Sequence, residues 1–326
     1  MALKRLGGKA QVFPEPQNPH VRNRISHTRE AKNIAIVLSD FLGLNTELCR
    51  AIMLGHDIGH APFGHGGEQY IPELAGAEKE FEHQVFGVIV AQSMEDPRWK
   101  GTDSMNIPDY AVPRGLNLSF PTLEGILYHS TNTSEMAVQD GKPEEYALCM
   151  YADKLAYIFA DVEDAVRLGR LHLEELKGQL GIFDFETASH EELQTRCMTA
   201  LISESVLSAR VSFKTSAVAK EFASLRKFMY ENVYGKINWD QQREEMNAVH
   251  GFFQEDQRFE RVDKIILLSL LADNQVHGLA DILKRQEIIT DCELWKLGIN
   301  ELIPYIRNQS IDYSNPALNS EDFKYA

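Results

Sequence analysis

The stretch Leu54-Gly55-His56-Asp57-Ile58-Gly59-His60-Ala61-Pro62-Phe63-Gly64-His65-Gly66-Gly67-Glu68 decides how this chain is read. It follows an apolar helical run, Ala51-Ile52-Met53, and then turns into Gly, His and Pro. Gly and Pro break the helical period, so the chemistry-bearing side chains gather where a helix gives way to a loop. His56-Asp57 sets a neutral imidazole beside a carboxylate, one borderline and one hard ligand in a small volume. That mixture suits Mg2+, Mn2+, Fe2+, Co2+ or Ni2+ better than a structural zinc site built on thiolates.

Outward from this stretch the period is helical. Residues 28–41 place Ile34, Val37, Leu38 and Phe41 on one face, and Gly43 supplies a stop. Asn45 or Thr46 can cap the next helix, which carries Leu48, Ala51, Ile52 and Leu54 and ends near Gly59. Further helices are predicted over 80–92, 122–130 and 145–168, then over 193–210, 216–234, 261–272 and 281–305. Residues 97–121 read as a long loop and 181–189 as a short extended piece. With no strand ladder and no repeat, the fold class is mainly α. Every chemical motif falls within 1–170, the expected catalytic core. The helical region 171–326 is expected to pack on it, or to continue it as one domain.

The chain has 326 residues and a formal net charge of -15. That balance disfavours a nucleic-acid partner, whose phosphates call for clustered Lys and Arg. It leaves room for a small anion in a pocket where a metal and a few cations reverse the local field. Cys49, Cys149, Cys197 and Cys292 fit no zinc spacing and no disulfide framework, and are expected as buried free thiols. No apolar run is long enough to span a membrane, and residues 1–8 lack a signal-peptide core, so a cytoplasmic protein is expected.

Other residues join the His-Asp pair. His27 opens one amphipathic helix. Asp153 lies in the apolar stretch Met150-Tyr151-Ala152-Asp153-Lys154-Leu155-Ala156, where a buried carboxylate needs a cation or hydrogen bonds. An ion pair with a neighbouring Lys or Arg would also meet that need. His60, His65, Glu68 and His83 are candidates for proton transfer, and Glu68 stands one helical turn after His65 if the loop has begun to coil. Asp153, Tyr157 and Asp161 recur at i, i+4 and i+8 and share one helix face. Arg24, one turn before His27, and Lys154 are candidates for a phosphate group, with Arg22 as a substitute for Arg24. His129 receives no role.

The ordered set His27, His56-Asp57 and Asp153 resembles the HD-domain phosphohydrolases. Arg22-Asn23-Arg24-Ile25-Ser26-His27-Thr28, the opening stretch, Phe81-Glu82-His83-Gln84 and Tyr151-Ala152-Asp153-Lys154-Leu155-Ala156-Tyr157 resemble one branch of it. That branch is the bacterial dGTP triphosphohydrolase-like family, with its mammalian deoxynucleotide-hydrolysing relative. The segment Leu225-Arg226-Lys227-Phe228-Met229-Tyr230-Glu231-Asn232-Val233-Tyr234 is similar to it as well.

The resemblance implies an HD-type helical fold with additional C-terminal helices. It implies a divalent metal (Mg2+ or Mn2+ foremost) on His27, His56, Asp57 and Asp153. Cleavage at the α-phosphorus of a deoxynucleoside triphosphate would release inorganic triphosphate. His65 and Glu68 stand where the family has its catalytic pair, and His60 and His83 line the same pocket. Tyr157 would pack on the deoxyribose and Asp161 accept from its 3′-hydroxyl. A closed homo-oligomer is expected. Bacterial members often carry an extension ahead of the segment found here at Lys4-Arg5-Leu6, so base selection is the property this departure touches. Two other readings are an HD phosphohydrolase of nucleoside monophosphates or cyclic nucleotides, and a non-enzymatic nucleotide-sensing module.

Overall fold

Helix α1 (Arg24–Leu42) begins where the Asn23 side chain accepts from the Ser26 N–H and ends at Gly43, whose φ is 65°. Both features are ordinary helix punctuation, an oxygen cap at the start and a left-handed residue at the stop. Asn45, rather than Thr46, caps α2 (Thr46–Gly55) by accepting from Leu48 N–H. The computed structural model describes residues 2–14, 18, 20–94, 115–130, 141–177, 180–307, 311–316 and 318. Most of the expected 97–121 loop lies outside them. Among the described residues there are helices and three isolated bridges but no strand, so the fold is mainly α.

After α2 come α3 (His65–Ala75), α4 (His83–Ile89, continued by a π turn Val90–Met94), α5 (Phe120–Tyr128) and α6 (Glu144–Arg167). Beyond them lie α7 (His190–Ser208), α8 (Ala217–Asn232), α9 (Asp240–Glu255), α10 (Lys264–Leu270), α11 (Asp273–Lys284) and α12 (Asp291–Lys296).

Expectations for 281–305, for 181–189 and for Cys292 are corrected, and one helix was not foreseen. The single helix over 281–305 is broken: Gln286 takes a φ of 56°, and Thr290 and Glu293 form a capping box that starts α12 afresh. The extended piece at 181–189 is a run of bends and turns. Helix α9 was hidden by its polar composition, because its buried face is narrow: Met246, Val249 and Phe253. Of the cysteines, Cys49, Cys149 and Cys197 are buried free thiols, but Cys292 is exposed.

Two apolar cores result. One holds Ala35, Leu38, Ile52, Leu155 and Phe159 of α1, α2 and α6 with Leu201 and Phe222 of α7 and α8. The other holds Ile58, Ala61, Phe63, Val88 and Ile126 with Val249, Phe253, Leu267 and Val276 of α9 to α11. Each core therefore draws on both sides of residue 170. The His56–Glu68 stretch runs along the seam between them. It gets there through Gly59, where an added Cβ would meet Gly87 N and His83 O at 2.1 Å. That backbone crossing turns the chain out of α2 at Gly55, earlier than the Gly59 end expected from its period.

Glu204, buried at the end of α7, accepts from the N–H groups of Lys214, Thr215 and Ser216 just ahead of α8. Burial would raise its pKa, but the Ser216 side chain and these N–H groups outweigh it and bring the carboxyl from 4.5 to about 2. A depressed carboxylate stabilises the fold fully above its unfolded pKa and loses that contribution as pH falls through the folded one. Glu204→Gln is expected to cost about 1–2 kcal/mol at neutral pH. In thermal melts the gap between variant and wild type should close between pH 4.5 and 2. A pH-independent gap would contradict this account.

Candidate active site

His27 comes from the first turns of α1, His56 and Asp57 from the residues just past α2, and Asp153 from the middle of α6. All four are buried. His27 Nε2 lies 3.2 Å from His56 Nε2 and 3.0 Å from Asp153 Oδ1. His56 Nε2 lies 3.5 Å from Asp57 Oδ1 and 3.6 Å from Asp153 Oδ1, and His27 Nε2 lies 3.8 Å from Asp57 Oδ2. Ligands about 2.1 Å from one ion and at right angles to each other are about 3 Å apart. His56 Nδ1 donates to Met53 O at 2.7 Å, which leaves Nε2 as the lone pair. A ring of acceptors this close repels itself unless a cation or protons lie between them. The donor set therefore fits a divalent metal.

The carboxylates stay ionised despite burial. Burial works to raise Asp57, but His56, His60 and Arg24 together hold it well below the usual range. Burial likewise opposes Asp153, which Lys154 and His27 keep low. Arg24 Nη1 donates to Asp57 Oδ2 at 3.1 Å, and Lys154 Nζ donates to Asp153 Oδ2 at 2.7 Å. Both expected phosphate cations thus lean on the candidate metal carboxylates. Arg22 does not join them, because it pairs with Glu30 and donates to Ala156 O.

The loop groups meet on Glu68. His60 Nδ1 bonds Glu68 Oε1, while His65 Nδ1 and His83 Nδ1 each lie 3.3 Å from Glu68 Oε2. His65 and Glu68 sit in the first turn of α3, so the loop has coiled by that point. Burial opposes the charge on Glu68, but His60, His83 and His65 hold it well below the usual range. His60 Nε2 stands 3.1 Å from Asp57 Oδ1, which joins the two clusters. Burial, helped by Arg24 and His83, brings His60 down to about 4, so it is neutral near pH 7. His65 differs from the rest: its side chain is 67% exposed.

Tyr157 packs its ring 6.3 Å from His27 and 6.5 Å from Tyr234. Asp161 is buried and accepts from the Tyr234 hydroxyl at 2.8 Å. Burial pushes its carboxyl up to about 8.

Three residues at the site received no role from the sequence. His129 is buried at the end of α5, donates from Nδ1 to Ile126 O at 2.6 Å and lies 3.3 Å from His83 Nε2. Burial, with His56 and His83 nearby, holds it well below the usual histidine range. Its position one residue past a strongly apolar helix was the available signal. Lys9 is buried and donates from Nζ to His60 O. Tyr234 stood in the quoted segment 225–234 without a role.

A model of the HD domain matches residues 24–158. A deoxyguanosinetriphosphate triphosphohydrolase-like protein of Caldanaerobacter subterraneus subsp. tengcongensis is 30% identical over 295 residues, 89% of this chain and 76% of that relative. One of Clostridium tetani is 30% identical over 238 residues, 72% of this chain and 62% of its own length. One of Clostridium perfringens is 33% identical over 255 residues, 74% of this chain and 66% of its own length. The chain thus spans about two thirds of the length of these relatives.

In Mn2+ titrations, His56→Ala and Asp57→Ala are expected to lose tight binding. Arg24→Gln, which frees Asp57 to turn, is expected to weaken it about 10–100-fold. An Arg24→Gln affinity equal to wild type would show that the guanidinium does not orient Asp57.

Proposed function

The chain belongs to the HD-domain deoxyguanosinetriphosphate triphosphohydrolase-like family, and from that premise we propose that it hydrolyses deoxynucleoside triphosphates to deoxynucleoside and inorganic triphosphate. The observation that carries this reading is the junction of two clusters through His60, which touches Asp57 on one side and Glu68 on the other. Electrophile and water can then be served in one buried cluster, with the proton donor at its solvent edge.

His27, His56, Asp57 and Asp153 would hold the metal, with Mg2+ or Mn2+ favoured by the mixed carboxylate and imidazole set and Fe2+, Co2+ or Ni2+ compatible with it. When bound, the ion would acidify a water and polarise a phosphoryl oxygen. Hydrolysis forms a bond from the water oxygen to the α-phosphorus, breaks the bond from that phosphorus to O5′, and delivers a proton to O5′.

His65 suits the proton delivery. Its Nδ1 is directed by Glu68 and its ring reaches solvent, where a leaving nucleoside would depart. His60 does not suit it, being buried and neutral. His83, stacked on His60 at 3.7 Å, keeps that ring in place. Arg24 and Lys154 hold the ligand carboxylates and add positive field toward the phosphates. Tyr157 and Asp161 follow Asp153 along α6, one for the sugar face and one for the 3′-hydroxyl, with Tyr234 orienting Asp161. A homo-oligomer without nucleic acid or membrane partner completes the proposal. Among the described residues no single helix is long and apolar enough to cross a membrane.

The test is a product assay on the four deoxynucleoside triphosphates and their ribose counterparts with Mg2+ or Mn2+. Triphosphate release from the deoxy substrates, with little from the ribose ones, is expected. Release of orthophosphate or pyrophosphate alone would overturn the reading. His65→Ala should lower kcat about 100- to 10,000-fold with a smaller change in KM.

A further inference from the structure

The turn from Ala61 to Gly64 separates His60 from His65, and its geometry sets where both rings point. Phe63 in this turn has a φ of 61°, a conformation that bulky L residues rarely adopt. Nothing in residues 59–68 alone explains why a phenylalanine stays there. The explanation lies 210 residues along the chain.

Asp273, the first residue of α11, is buried. Its Oδ1 accepts from the Phe63 N–H at 2.8 Å and its Oδ2 from the Ala10 N–H at 2.8 Å. Lys9, next to Ala10, reaches back to His60 O. One carboxylate and one ammonium thus tie the N-terminal segment and both ends of the turn into a single knot. One helical turn beyond Asp273, the His277 ring packs 5.0 Å from the Phe63 ring and pairs with Glu245 of α9. Trp239 packs against Gly66, where an added Cβ would meet its ring at 2.4 Å.

From this arrangement we infer that Asp273 is a positioning residue for the His60–His65 loop, acting on the reaction through the Phe63 backbone and not through substrate. The inference rests on the function proposed above for its effect on turnover, but not for the contact itself. A displacement of about 1 Å at a reacting group costs about 100-fold in rate. Asp273→Ala, which removes both acceptors, is expected to lower kcat by about that factor, with KM and Mn2+ affinity within about two-fold. Asp273→Asn keeps one acceptor and is expected to lose about ten-fold, a partial rescue relative to alanine. Asp281→Asn, on the exposed side of the same helix, should behave as wild type.

A second readout needs no turnover: imidazole NMR signals of His60 and His65 should move in Asp273→Asn, while that of His172 stays. Should Asp273→Ala fail to fold, Asp273→Asn carries both measurements. If no triphosphate is released by wild type, the function falls and the imidazole spectrum alone decides the positioning role. Unmoved His60 and His65 signals would overturn the inference, as would unchanged kcat in a protein that does release triphosphate.

Discussion

Everything at this site depends on keeping three carboxylates ionised where water is scarce. Asp57, Asp153 and Glu68 are each at most 8% exposed and lie within two linked clusters. Burial alone would protonate them or drive them apart. Each is instead met by a cation or an imidazole: Arg24 on Asp57, Lys154 on Asp153, three histidines on Glu68. These partners do not finish the neutralisation. Two Nε2 atoms still face each other at 3.2 Å, and a neutral His60 that donates to Glu68 turns a lone pair toward Asp57. The residual demand is for positive charge at the centre of the first cluster. A chain with a net charge of -15 can therefore still present a site that attracts a metal and then a polyanion.

The fold meets this demand by position. Helices α1, α2 and α6 bury apolar faces against one another and bring their polar residues to one edge of that core. The other core holds Ile58, Ala61 and Phe63, so the loop between the candidate ligands and Glu68 is anchored from the opposite side. Side chains on such a seam are held by packing from both cores. Loops carry chemistry best when a scaffold holds them in this way.

The local half of this arrangement was legible in the residues themselves. The α1 stop at Gly43, the α2 cap at Asn45, the α6 face and the His-Asp junction all depend on spacings of a few residues, whereas α1 starts at Arg24 behind an Asn23 cap, ahead of the start at 27–28 that the period suggests. The four ligand candidates are joined by their resemblance to the HD-domain phosphohydrolases; the helical period places only the helices that bear them. What sequence could not assign depends on contacts between distant segments. His129 offers a lone histidine at a helix end, and only the fold sets it against His83 and His56. The break at Gln286 is invisible to a period that resumes after it. Arg24 and Lys154 are, from sequence, candidates to bind phosphate; the Lys154 pair with Asp153 is one of the alternatives open in sequence, whereas the Arg24 pair with Asp57 spans 33 residues and only the fold sets it.

The same limit bears on how the His60–His65 loop is held. A turn containing a left-handed phenylalanine is not a low-energy structure by itself, since such conformations persist only where their surroundings over-determine them. Here the surroundings are Asp273, Lys9, His277 and Trp239, and three of the four lie beyond residue 230. A chain ending near residue 170 would carry all of the candidate ligands and all of the loop histidines. It would lack the carboxylate that bonds the Phe63 N–H and the apolar wall beneath Ala61. The C-terminal helices are thus part of what makes the motif a site, because the precision of His65 against Glu68 is set by a backbone that they restrain.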